Sequence, residues 1–67
     1  MKWIELDMAD LPLGYAVVKE IDQQGKINLV VGEFYESGFI AYCYDESVTF
    51  DFTPSWKYYY VSLGMSI

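Results

Sequence analysis

Cys43 is the chain's single cysteine, and no histidine occurs anywhere among the 67 residues. A thiolate nucleophile needs a neighbouring base, most often an imidazole, so cysteine chemistry of that kind is excluded. Cys43 also has no partner for an internal disulfide, and without histidine the Cys/His patterns of a structural zinc site are missing. Lying between Tyr42 and Tyr44 in a strand-like run, it reads as a small hydrophobe buried in a sheet, since free cysteine is among the most buried residue types.

The ten Asp and Glu residues are the other groups that could do chemistry. Asp45 and Glu46 adjoin in a turn-like stretch where their side chains could converge, and Glu33 and Glu36 flank another turn. Neither pair has the spaced oxygen ligands of a calcium loop. They are expected to solvate turns and to discourage pairing at sheet edges. No cofactor or metal is implied, and the chain is read as non-enzymatic. Against these acids stand four lysines and no arginine, for a net charge of −6. That balance argues against direct contact with nucleic-acid phosphates or an anionic membrane, and it is compatible with a basic protein surface. A sharper reading makes Glu33, Glu36, Asp45, Glu46 and Asp51 a strip that imitates a nucleic-acid backbone for a basic groove. Yet no run of like charge exceeds two residues.

The elements that must position these groups are strands. Trp56 to Leu63 carries large apolar side chains on both alternate faces, Trp56, Tyr58 and Tyr60 on one and Tyr59, Val61 and Leu63 on the other. Upstream, Met1–Leu6 reads as a short strand, and Asp10, Pro12 and Gly14 mark a loop. Tyr15–Ile21 reads as a strand, then Asp22-Gln23-Gln24-Gly25 as a hairpin loop whose glycine supplies positive φ. Lys26–Tyr35 is a long strand with Gly32 as a candidate bulge or bend. Glu36-Ser37-Gly38 turns into Phe39–Tyr44, which is apolar on both faces. Asp45-Glu46-Ser47 is a third turn, Val48–Phe52 alternates with Val48, Phe50 and Phe52 inward, and Thr53-Pro54-Ser55 is a fourth. Short connections make neighbours antiparallel. The expected fold is one all-β domain over residues 1–67, an antiparallel meander of five to six strands, curled or barrel-like.

A domain this small hides only about 60% of the surface its unfolded chain exposes. With 54% apolar residues, including seven Tyr, four Phe and two Trp, some apolar area must stay outside, where a contiguous patch marks a contact site. Trp56, Tyr58, Tyr59 and Tyr60 are the expected partner-binding residues, with Glu33, Glu36, Asp45 and Glu46 as an acidic rim. Nothing reads as a charged leader or a membrane-spanning run, so a cytoplasmic setting is expected.

Trp3-Ile4, then Leu11-Pro12-Leu13-Gly14 and Val17-Val18, resemble the opening of a family of short phage and prophage proteins of unknown function. The similarity runs on through Gly25, Gly32, Phe34-Tyr35 and Phe39. This resemblance implies a small accessory phage protein in a host cell and transfers no catalytic residue. The resulting expectation is a protein that binds and modulates, most simply inhibits, a host protein. The alternative is a self-assembling homo-oligomer whose partner is a second copy of itself.

Overall fold

The computed structural model of the protein describes residues 2–43 and 46–64. It is all-β, with six strands in a single antiparallel sheet that is curled but not closed into a barrel. The strands are β1 (Ile4–Glu5), β2 (Gly14–Ile21), β3 (Ile27–Tyr35), β4 (Gly38–Cys43), β5 (Glu46–Thr49) and β6 (Lys57–Gly64), and their spatial order is β1-β6-β2-β3-β4-β5. Consecutive hairpins make β2 to β5 a meander. The chain then crosses back through residues 50–56 so that β6 lies beside β2.

The hairpin at residues 22–26 forms as its residue types dictate. Asp22 accepts on Oδ1 from the backbone N–H groups of Gln24 and Lys26, both at 2.9 Å. Gly25 takes φ of 84°, a left-handed conformation that costs a side-chain-bearing residue about 1–2 kcal/mol. This turn sets the β2–β3 register of Ile21 opposite Ile27 and Val18 opposite Val30.

Register then sorts the side chains into two faces. Ala16, Val18 and Glu20 share the inner face with Val30, Phe34, Tyr58 and Tyr60, while Val17, Lys19, Val31, Tyr59 and Val61 share the outer one. The inner face holds the core, built on Leu6, Ala16, Val18, Phe34, Phe39 and Tyr58. A circuit of aromatic rings closes it. Tyr60 meets Phe34 at 5.9 Å, Phe34 meets Phe39 at 4.5 Å, Phe39 meets Phe50 at 5.7 Å, and Phe50 meets Tyr58 at 6.2 Å. Most of these contacts are edge-to-face, the arrangement favoured by the ring quadrupole. The circuit links β6, β3, β4 and the crossing segment across the inner face.

Four details differ from the expectations above. Gly32 is no bulge, since it pairs regularly with Ala16 and Ala41. A Cβ there would overlap the Ile40 carbonyl oxygen and stand 2.7 Å from the Phe39 ring, so the position needs glycine for close approach. The register shift falls instead at Tyr15/Ala16, between β2 and β6. Glu46 and Ser47 belong to β5 rather than to a turn. That strand ends at Thr49, leaving Val48 exposed while Phe50 and Phe52 fold back over the core. The remainder of the third turn, Asp45, and the expected end of the preceding strand, Tyr44, lie outside the described residues.

Candidate contact surface

The outer face of the sheet is apolar and uncovered. Ile27, Leu29 and Val31 are 57, 59 and 51% exposed along β3, and Tyr15, Tyr42 and Leu63 are also exposed. Val61, Val17 and Val31 lie opposite one another on β6, β2 and β3 and form its central row. Much of the surplus apolar surface that composition requires lies here, while Ile4, Met8, Leu13 and Val48 are exposed elsewhere.

Two charges flank that row and each is held in place. Lys19 Nζ lies 4.6 Å from the centroid of Trp3 and 5.2 Å from that of Tyr59, a cation enclosed by two aromatic faces. Glu33 Oε1 accepts a 2.8 Å hydrogen bond from the Tyr42 hydroxyl, and that bond, first among several causes, raises the Tyr42 pKa above its usual 10.0. Lys19 and Glu33 pair with Leu29 and Tyr15 respectively, which puts them on opposite sides of the valine row.

The expected contact residues separate accordingly. Tyr59 lies on the outer face. Tyr58 is only 7% exposed and belongs to the core. Its hydroxyl accepts from the Thr53 N–H at 2.7 Å and donates to Glu20 Oε2 at 3.0 Å. Burial, the largest cause, pushes its pKa up, with the bond to Glu20 adding to the rise and that to Thr53 opposing it. As placed, Tyr58 is not offered to a partner. Tyr60 is half-buried against the same core. Trp56 is half-buried too, and with Met8, Phe52, Thr53, Pro54 and Tyr58 it lines a shallow, mainly apolar cleft of about 300 Å³.

The acidic rim is dispersed. Glu36 lies in the turn between β3 and β4, while Glu46 pairs with Cys43 at the other end of β4. At about 3.4 Å per residue, those ends are roughly 17 Å apart. Glu33 stands on the outer face, Asp51 is exposed in the crossing segment, and Asp45 lies outside the described residues. The structure does not bring the described ones, Glu33, Glu36, Glu46 and Asp51, into one row.

Cys43 is exposed, contrary to the buried reading. Its side chain has inner-face parity, but it stands at the far end of β4, past the reach of the aromatic circuit. Among the described residues, no group of three or more Cys, Asp or Glu could hold a metal ion, and no helix is long and apolar enough to cross a membrane.

No protein-family model, curated protein or solved structure matches the chain.

The outer face is what sequence reasoning missed. Ile27, Leu29 and Val31 alternate in the sequence as regularly as the large residues of β6 and face one way along their strand. Their repeat was a signal for a second exposed row. What it lacked was a reason to choose the outward side of each strand.

Proposed function

We propose that this protein works by protein contact rather than catalysis, as an accessory protein of a phage or mobile element that binds and modulates a host protein. The observation that carries the contact reading is the outer sheet face, where β3 leaves three large aliphatic residues more than half exposed. Contiguous apolar surface of this kind is uncommon on a small monomer and is characteristic of interaction sites. Phage origin rests on the sequence resemblance. The acid-rich remainder of the surface suits a host protein with a basic face, with complementary charge favouring encounter and register.

Affinity capture from host extract tests the reading, with the wild type beside Val31→Glu and the pair Glu36→Gln/Glu46→Gln. Loss of a captured host protein with the first variant assigns the apolar face to the contact. Loss with the second, together with release as salt rises, assigns the acids. Capture that neither variant alters would refute contact through either surface.

A second reading, self-assembly, is favoured by the charge on the outer face, which is balanced whereas the whole chain is strongly acidic.

A further inference from the structure

We infer that the outer face is covered by a second copy of this chain, packed sheet on sheet about a two-fold axis that runs along the Val61, Val17, Val31 row. This rests on the reading of the outer face as a contact surface and takes its occupant from the second reading, self-assembly, which leaves a host protein the acid-rich remainder of the surface.

Charge is the first argument. Among the described residues, the strands place two lysines, Lys19 and Lys57, and two carboxylates, Glu5 and Glu33, on this face. The face is therefore neutral in a molecule of net charge −6. A basic partner gains nothing here that it would not gain more strongly elsewhere on the molecule. Two copies, which repel through the rest of their surfaces, meet here without like-charge opposition.

Symmetry supplies the second. An axis in the interface plane and perpendicular to the strands reverses strand direction, so the Lys19 side of one copy lies over the Tyr15 and Glu33 side of the other. Residue i then meets j while j meets i, as a two-fold contact demands. Lys19 of each copy comes within reach of Glu33 of its mate, giving two equivalent ion pairs at the borders of a valine centre. Within one chain these residues are two rows away from each other on either side of that centre, too far apart to pair. The clamps at Trp3 and Tyr42 already hold both charges at those borders.

Area is the third. The accessible surface is 4985 Å² for a chain of 7.8 kDa, against about 4,400 Å² expected of a compact monomer of that mass. That excess is surface which a compact monomer of this size need not expose, and a stable specific pair covers about 1,200 Å² or more in total. Two such sheets would stack about 10 Å apart with strands rotated by about 30°.

Sedimentation equilibrium under reducing conditions, which keep the exposed Cys43 from cross-linking, tests the inference on the full chain. The wild type is expected to reach twice the 7.8 kDa monomer mass as concentration rises from low to high micromolar. Val31→Glu puts a charge on the two-fold row and should weaken association by at least tenfold, with an unchanged far-ultraviolet circular dichroism spectrum as the folding control. Lys19→Glu and Glu33→Lys should each dimerise poorly alone. An equimolar mixture of those two variants should recover the dimer, because each border then joins opposite charges again. No rearrangement within a single chain produces that recovery. A wild type that stays monomeric at every concentration overturns the inference, as does a dimer indifferent to Val31→Glu, and a mixture that fails to recover overturns the axis. A monomeric wild type that captures another protein, and loses it with Val31→Glu, refutes the second copy while leaving the contact reading intact. Indifference of both mass and capture to Val31→Glu sinks both.

Discussion

Replacing Tyr58 with phenylalanine removes one oxygen and leaves the ring, so it tests the inner hydrogen bonds apart from the aromatic packing. The ring's edge-to-face contacts with Phe50 and Phe52, at 6.2 and 4.9 Å between centroids, survive the change. Two partners are orphaned: the Thr53 N–H that donates to the hydroxyl, and the Glu20 carboxylate that accepts from it. A half-buried amide left without an acceptor costs about 1 kcal/mol, and a hydrogen bond to a charged group is worth about 1.5–3 kcal/mol. Because Glu20 retains 9% exposure and can recruit some water, the lower part of that range applies. Tyr58→Phe should thus cost about 2–3 kcal/mol. At 0.05–0.15 kcal/mol per residue the whole domain holds only about 3–10 kcal/mol, so this is a substantial fraction of its stability. Urea unfolding followed by tryptophan fluorescence should show a lower midpoint with an unchanged slope, and the thermal midpoint should fall by about 10 °C or more. Tyr60→Phe, which keeps the contact with Phe34, is the control and should change stability by less than about 0.5 kcal/mol. In a Glu20→Gln background the Tyr58→Phe penalty should shrink by about 1 kcal/mol, the signature of two groups acting on each other. A Tyr58→Phe variant within about 0.5 kcal/mol of the wild type would refute the assignment of the hydroxyl as a structural relay.

Three further outcomes follow from the same geometry. The raised Tyr58 pKa means that the folded state holds the phenolic proton more tightly than the unfolded chain, so its contribution is complete below the usual value of 10.0 and is lost as pH climbs through the folded-state value. Thermal midpoints taken from pH 8 to 11 should therefore fall more steeply in the wild type than in Tyr58→Phe, and parallel curves would contradict this. Gly32→Ala forces a methyl against the Ile40 carbonyl and the Phe39 ring, costing about 1–3 kcal/mol or more by overpacking. Gly25→Ala, with nothing within 4 Å of the new methyl, should cost about 1 kcal/mol through its φ alone; urea midpoints that rank the two in the reverse order would count against the close-approach role of Gly32. Cys43, being exposed, should react with a thiol-specific reagent in the native protein as fast as in the urea-unfolded chain, and strong native protection would restore the buried reading.

Much of the local organisation was legible in the residues. Asp22 and Gly25 specify a hairpin through interactions within five residues, so no distant contact was needed to foresee it. The alternation in Trp56 to Leu63 likewise told which side chains share a face, because the period of a strand is a property of the backbone. Charge, the missing histidine and the single cysteine bounded the chemistry in the same way. The order of strands was not legible, because the return of β6 to the side of β2 depends on the crossing segment docking on the inner face. That docking also explains the early end of β5, where Phe50 and Phe52 leave the ladder for the aromatic circuit, and the exposure of Cys43 at its border. Whether Tyr58 or Tyr59 points into the core is a matter of register against β2. The two faces of β6 are similarly apolar, and composition alone gives no preference between them. Sequence by itself determined that this chain forms short antiparallel strands with more apolar surface than one layer can hide. Only the tertiary structure decided which face remains bare, because the register against β2 turns Tyr58 inward onto Phe50 and Phe52 and leaves Tyr59 outside.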